Sequence, residues 1–211
     1  MRATAELYDV TWPVGEGIPV WPGDAPCALE WTLLRSRGDS ANVAELRMSA
    51  HTGTHADGPF HVADDGARIG AAPLDAYLGP ALLVDVEEGG RIDAALVDRV
   101  LAAGPVERVL FRTGCWTDPA VFPTAFPAPE PEAAGALVRA GVRLVGTDAP
   151  SVDPYDSTEL ATHHVLGAGG VAILENLRLA GVPAGRWELI ALPLRLADAD
   201  ASPVRAVLRR P

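Results

Sequence analysis

Within the eleven residues His51-Thr-Gly-Thr-His55-Ala-Asp57-Gly-Pro-Phe-His61 the chain places three of its five histidines and an aspartate. Neutral imidazoles and a carboxylate are the ligands that Zn²⁺, Mn²⁺ and similar ions take. Positions 51, 55, 57 and 61 are all odd, so an extended backbone would carry the four side chains on one side. Gly53 and the pair Gly58-Pro59 argue against a helix, which both residue types break. The expectation is a bent, strand-like loop closed around a metal. Exposed or merely hydrogen-bonded histidines are the bland alternative, which fits one such residue better than a set of four groups. The pattern His-Glu-x-x-His is absent, so no glutamate inside the motif could act as a base.

The remaining histidines, His163 and His164, are adjacent, and Glu175 follows the apolar run Val171–Leu174. A carboxylate at the end of a buried strand needs a partner or loses its charge. A cation would be one partner and a surface ion pair another. With the first cluster, the ligand total becomes three histidines, Asp57 and Glu175, with a histidine to spare. That exceeds the three protein ligands of a single catalytic zinc. Bridging carboxylates hold two metals about 3.5–4 Å apart in hydrolases, so a two-metal site is plausible from ligand count. His61 follows rigid Pro59 and lies furthest from the His-x3-His-x-Asp core. It is the natural candidate for a general base near neutral pH, the alternative being one more ligand. Trp21, in Val-Trp-Pro-Gly-Asp, could line a pocket for a flat ring or pack on Pro22. Asp148 and Ser151 are candidates to support the site from behind, against ordinary turn chemistry. Neither a Gly-x-Ser-x-Gly elbow nor a phosphate-binding glycine loop is present, and Cys115 has no histidine near it in sequence.

The elements that must position these groups read as an α/β pattern. Residues 5–12 and 18–22 suggest a short strand and then a turn at Pro22-Gly23. Strands are expected over 29–36 and 42–49, the second half-buried, with Ala44, Leu46 and Met48 alternating with Glu45 and Arg47. That strand would deliver the chain into His51. Further strands are expected over 81–86, 109–112, 142–146, 171–174, 188–194 and 204–208. Helices are expected over 92–102 and 131–140, the latter with Pro near its start and Gly141 past its end. Residues 117–130 read as an irregular proline-rich loop. Trp12, Trp31, Trp116 and Trp187 are expected in the core or at its rim. The fold class expected is α/β, a single domain over residues 1–211 with a mixed, β-rich central sheet and flanking helices.

The 211 residues, 48% hydrophobic and 21% charged, suffice for a sizeable core. A net charge of −11 makes nucleic acid a poor partner and disfavours anionic membrane surfaces. Two distant cysteines form no disulfide framework and fit a reducing cytoplasm. The N-terminal residues carry no apolar signal-like region, and no apolar run is long enough to span a membrane.

The chain resembles the metal-dependent cyclase family, and within it the bacterial kynurenine formamidase (arylformamidase) branch. The resemblance rests on Pro19-Val-Trp-Pro-Gly-Asp24, the His51–His61 loop, Pro73-Leu-Asp-Ala-Tyr-Leu-Gly-Pro80 and residues 142–154. It continues through His163-His164, Ala172-Ile-Leu-Glu175, residues 188–194 and the tail Asp200-Ala-Ser-Pro-Val-Arg-Ala-Val-Leu208. It implies the family's swivelling β/β/α fold, a homodimer, and two zincs per subunit with Mn²⁺ as a possible substitute. His51 and His55 would hold one ion and His163 the other, with Asp57 and Glu175 bridging. His61 would be the proton donor and acceptor, and Trp21 would contact an aromatic substrate. The activity implied is hydrolysis of N-formyl-L-kynurenine to L-kynurenine and formate in tryptophan breakdown, by attack of a metal-activated hydroxide on the formyl carbon. A related cyclic or aryl amide hydrolase, such as an isatin hydrolase with Mn²⁺, is the alternative. A non-catalytic metal-binding protein is the third reading. Gly58 stands where that branch mostly has alanine, and Asn176 where it mostly has glycine.

Overall fold

Short apolar segments rich in Val, Leu and Ile build the centre of a nine-stranded mixed sheet. The computed structural model describes residues 6–211. The strands are β1 (Leu7–Asp9), β2 (Ala28–Leu33), β3 (Val43–Arg47), β4 (His55–Asp57), β5 (Leu78–Asp85), β6 (Arg108–Arg112), β7 (Leu144–Thr147), β8 (Ala172–Glu175), β9 (Gly185–Ile190), β10 (Ala201–Pro203) and β11 (Val207–Arg209). Three helices, α1 (Ala94–Ala102), α2 (Pro131–Arg139) and α3 (Ala161–Ala168), join them. The main sheet runs β1-β11-β9-β5-β6-β7-β8-β4-β10, parallel from β5 to β8 and antiparallel elsewhere.

The inner parallel strands β6, β7 and β8 are buried on both faces, as such strands require. On β6, Val109 and Phe111 pack with Ile92, Val97, Ala133 and Leu137 on the helical side. Leu110 points the other way, into a core with Leu83, Leu174, Trp187 and Leu189. Asp93 starts α1 by accepting the Leu96 N–H at 2.9 Å, and Pro131 opens α2 where its missing N–H costs nothing.

The sheet is curled. β10 and β11 lie near opposite ends of the strand order, yet only residues 204–206 separate them. Four Cα steps span at most about 14 Å, so the two ends of the sheet must approach each other. Backbone bonds from Val204 N–H to Thr54 O and from Val10 N–H to Ala206 O stitch that closure. The single strand expected over 204–208 is therefore two strands, because the chain changes partners in its middle.

Other expectations need correction. The turn expected at Pro22-Gly23 is present, with Asp24 N–H bonded to Trp21 O at 2.9 Å, while the strand before it covers only Leu7–Asp9. The strands near 29–36 and 42–49 exist, but they pair only with each other, as a separate two-stranded sheet. β3 is exposed along its whole length rather than half-buried. Trp31 and Leu46 are 50% and 52% exposed, so Trp31 is neither core nor rim. Trp187 is core, and Trp12 and Trp116 lie at its rim. The segment Met1–Ala5, including the expected strand start at residue 5, lies outside the described residues. No helix among the described residues is long and apolar enough to cross a membrane.

Candidate metal-binding active site

The site is built where β4 lies between β8 and β10. Residues two apart on a strand share a face, so His55 and Asp57 project together. The antiparallel register sets His55 directly opposite Glu175, and opposed side chains on neighbouring strands sit within contact distance. His163 arrives from α3. Asp153 accepts the N–H groups of Thr162 and His163 at the start of that helix, at 2.9 and 3.0 Å. The same carboxylate lies 2.6 Å from His163 Nδ1, which turns Nε2 inward.

All six polar residues expected in the site converge. His51 Nδ1 and His55 Nε2 lie 3.2 and 3.4 Å from Asp57 Oδ1. His163 Nε2 lies 3.6 Å from Asp57 Oδ2 and 3.4 Å from Glu175 Oε1, and His55 Nε2 lies 3.4 Å from Glu175 Oε2. Two groups with ligand spacing result, His51–His55–Asp57 and Asp57–His163–Glu175, with Asp57 common to both. The convergence does not come from one extended segment, however. Only residues 55–57 are strand; His51 lies in a turn and His61 in a short 3₁₀ turn after Gly58.

The donor set fits metal ions. His55 Nε2, both Asp57 oxygens and His163 Nε2 are buried without a hydrogen-bond partner, which a protein seldom tolerates. Their mutual distances of 3.2–3.6 Å are too long for strong hydrogen bonds. They match the roughly 3.3–3.5 Å edges of a tetrahedron whose metal–ligand bonds are about 2.0–2.1 Å. The three inward-facing histidines each have an acceptor on the outer nitrogen. These are Gly53 O at 2.9 Å for His55, Asp200 Oδ2 at 3.0 Å for His51, and Asp153 for His163. Such outer partners fix ring orientation and raise ligand basicity.

The electrostatics agree. Burial pulls these imidazoles down, but the carboxylates more than reverse it. His55 is pushed up to about 10 by Asp57 and Glu175, and His163 to about 12 by Asp153, Asp57 and Glu175. His51 is raised by Asp57. Despite burial, the histidines hold Asp57 well below the usual carboxylate range and lower Glu175. The cluster thus demands positive charge, which protons or cations supply.

His61 stands apart from this set. Its Nδ1 lies 3.4 Å from Asp200 Oδ2, and its ring is 4.4 Å from that of His51 and 5.6 Å from that of His163. It lines a front cavity of about 300 Å³ whose floor is His51, His55, His163 and Glu175. Trp21 forms a wall of that cavity, stacked obliquely on Tyr155 at 5.1 Å and edge-on to Phe122 at 5.5 Å. Leu160 also lines it, with φ at +46°, a strain proteins tolerate where the surroundings enforce it.

Some residues fall elsewhere. His164 is exposed on the far side of α3. Asp148 accepts from Thr113 N–H and Oγ and from Gly114 N–H, so it organises that turn and not the histidines. Ser151 lines the front cavity and accepts the Asp153 N–H. Burial pushes the Cys115 thiol up to about 12, which leaves no thiolate nucleophile near neutral pH. Asp153, Asp200, Phe122 and Tyr155 were not foreseen as site residues.

Both unusual residues have local causes. A Cβ on Gly58 would meet Ile69 N at 2.9 Å and Asp200 O at 3.0 Å, so alanine does not fit here. Asn176 has φ at +54°, a left-handed conformation that Gly and Asn enter at least cost.

The sequence profile of the Cyclase family matches residues 8–154. The chain belongs to that family. Among its Cyclase relatives, the kynurenine formamidase of Salinibacter ruber is 45% identical, over 96% of this chain and 97% of its own. A Bacillus stearothermophilus structure, described as a predicted metal-dependent hydrolase, is 32% identical with a TM-score of 0.79, covering 98% of this chain and 99% of that one. Isatin hydrolase A from Labrenzia aggregata has a TM-score of 0.81 over 97% and 93% of the two chains, but at 24% identity it shares the Cyclase fold alone.

Within this Cyclase site, Asp153→Ala is expected to weaken metal binding by about 10- to 100-fold through loss of His163 orientation. Competition with a chromophoric chelator would measure it, and wild-type affinity would show that Asp153 serves only the helix start.

Proposed function

We propose that the chain is an arylformamidase that hydrolyses N-formyl-L-kynurenine to L-kynurenine and formate. The observation that carries this reading is an aromatic-walled cavity floored by a metal-ligand set, in a chain 45% identical to a kynurenine formamidase. We further propose that His51, His55, Asp57, His163 and Glu175 hold two zinc ions, with Asp57 and Glu175 shared. Mn²⁺ would suit the same donors. Such ions, when bound, acidify water and polarise a carbonyl oxygen.

The chain's own residues do the rest. Trp21, with Tyr155 and Phe122 behind it, presents flat apolar surface to an aniline ring. That contact holds the formyl group over the cavity floor. His61 takes a proton from the attacking water and returns it to the aniline nitrogen as the C–N bond breaks. Asn176 also lines the cavity, with its side-chain oxygen buried and unpartnered, and can accept a substrate N–H.

A cytoplasmic homodimer of single-domain chains over residues 1–211 completes the proposal. The two free cysteines and the exposed apolar side chains Trp31 and Leu46 on the hairpin support it.

The test is turnover of N-formyl-L-kynurenine followed by absorbance, with and without a chelator, beside isatin as a second substrate. Chelator-sensitive formamide hydrolysis is expected. Hydrolysis of isatin alone would replace this reading. Trp21→Ala should raise KM about tenfold, the worth of roughly 1.4 kcal/mol of aromatic contact, with kcat less affected. An unchanged KM would remove Trp21 from the substrate site.

A further inference from the structure

One carboxylate touches two imidazoles at the rim of the site. Asp200 Oδ2 lies 3.0 Å from His51 Nε2 and 3.4 Å from His61 Nδ1. Asp200 comes from near the C-terminus, just before β10, yet it is fixed against the loop that carries both histidines. Its backbone oxygen accepts the Gly58 N–H at 2.7 Å, and the next residue, Ala201, pairs with Asp57. The absent side chain at Gly58 is what permits this approach.

We propose that Asp200 is a positioning residue for His61. It accepts the Nδ1 proton, so that Nε2 keeps its lone pair as the nitrogen that exchanges a proton with the reacting atoms. The inference rests on the acid–base role proposed for His61. The chemical reason is that a neutral imidazole has one donor and one acceptor nitrogen, and the partner of the first decides which is the second. A separation of 3.4 Å is long for a hydrogen bond, as base–orienter contacts are before substrate binds. The same oxygen on His51 Nε2 ties the acid–base group to a proposed metal ligand, so the two rings share one anchor. The rival role for Asp200 is as a third ligand with His51 and His61, whose donor atoms also have ligand spacing.

The experiment compares wild type, Asp200→Ala, Asp200→Asn, His61→Ala and the His61→Ala/Asp200→Ala double variant, all at saturating zinc. It measures kcat, KM, zinc content and the ¹⁵N spectrum of the His61 ring. Asp200→Ala should lower kcat by about 10- to 100-fold, less than the full acid–base contribution of about 10²–10⁴, with KM and zinc content kept. In the His61→Ala background the same change should cost no more than about twofold, since the two residues act as one unit. Asp200→Asn should recover most of the rate, because its carbonyl oxygen still accepts from Nδ1. The ring spectrum should show the Nδ1-protonated form in wild type and Asp200→Asn, and its loss in Asp200→Ala. Multiplying losses in the double variant, an unchanged kcat in Asp200→Ala, or one zinc fewer per chain would overturn the proposal. If wild type does not hydrolyse the formamide while the ring spectrum still depends on Asp200, the substrate reading fails and the positioning stands. If turnover is normal and the spectrum ignores Asp200, the positioning fails alone.

Discussion

Replacing His61 with alanine is expected to lower kcat by about 10²- to 10⁴-fold while metal content and KM stay near wild type. The geometry separates His61 from the ligands. The two ligand groups that share Asp57 are complete without it, and it joins only the group with His51 and Asp200. Its ring lines the front cavity, within reach of anything lying over the ligand floor. Steady-state kinetics on the zinc-loaded variant, with metal measured on the same sample, checks this. A fall in zinc that tracks the fall in activity would make His61 a ligand.

Asp57→Asn is expected to have the largest effect. Both ligand groups contain Asp57, one through each oxygen. An amide of the same shape keeps the packing against Ala201 and Ile173 but removes the charge that two cations would share. Both ions should be lost, and activity should fall by at least about 10³-fold, the worth of several kcal/mol of Lewis-acid stabilisation. Thermal unfolding separates this from misfolding. A ligand that binds only the native state raises Tm, so chelator should lower Tm in wild type and leave Asp57→Asn unchanged. A chelator-sensitive Tm in the variant would show that one ion survives without Asp57.

The convergence of His51, His55 and Asp57 was legible because their chemistry is local and unusual. Few groups besides a cation suit His51, His55 and Asp57 packed so closely, while Glu175 gained weight only beside that cluster, since a surface ion pair explained it equally well alone. The parallel strands and first two helices were legible through apolar periodicity and, for α2, through Pro131 and Gly141 at its ends. What escaped was set by distant partners. α3 carries Thr, two His and a Gly, poor helix formers, and is started by Asp153, eight residues before its first turn. β4 is three residues long and exists because β8 and β10 flank it. The alternation in β3 was real, yet among the described residues the hairpin strands pair only with each other and β3 stays exposed, so periodicity alone misjudged its burial. Asp200 opened the tail that carries the family resemblance but had no site role in sequence, and the curled sheet brings it to His61.

That curl has a biosynthetic consequence. During synthesis His51, His55 and Asp57 leave the ribosome early, while the strand that flanks β4 begins at residue 201 of 211. A nascent chain therefore carries these side chains without their β10 neighbour while every residue from 58 to 200 is added. The site is therefore completed only once β10 has been made, in whatever order its other parts fold.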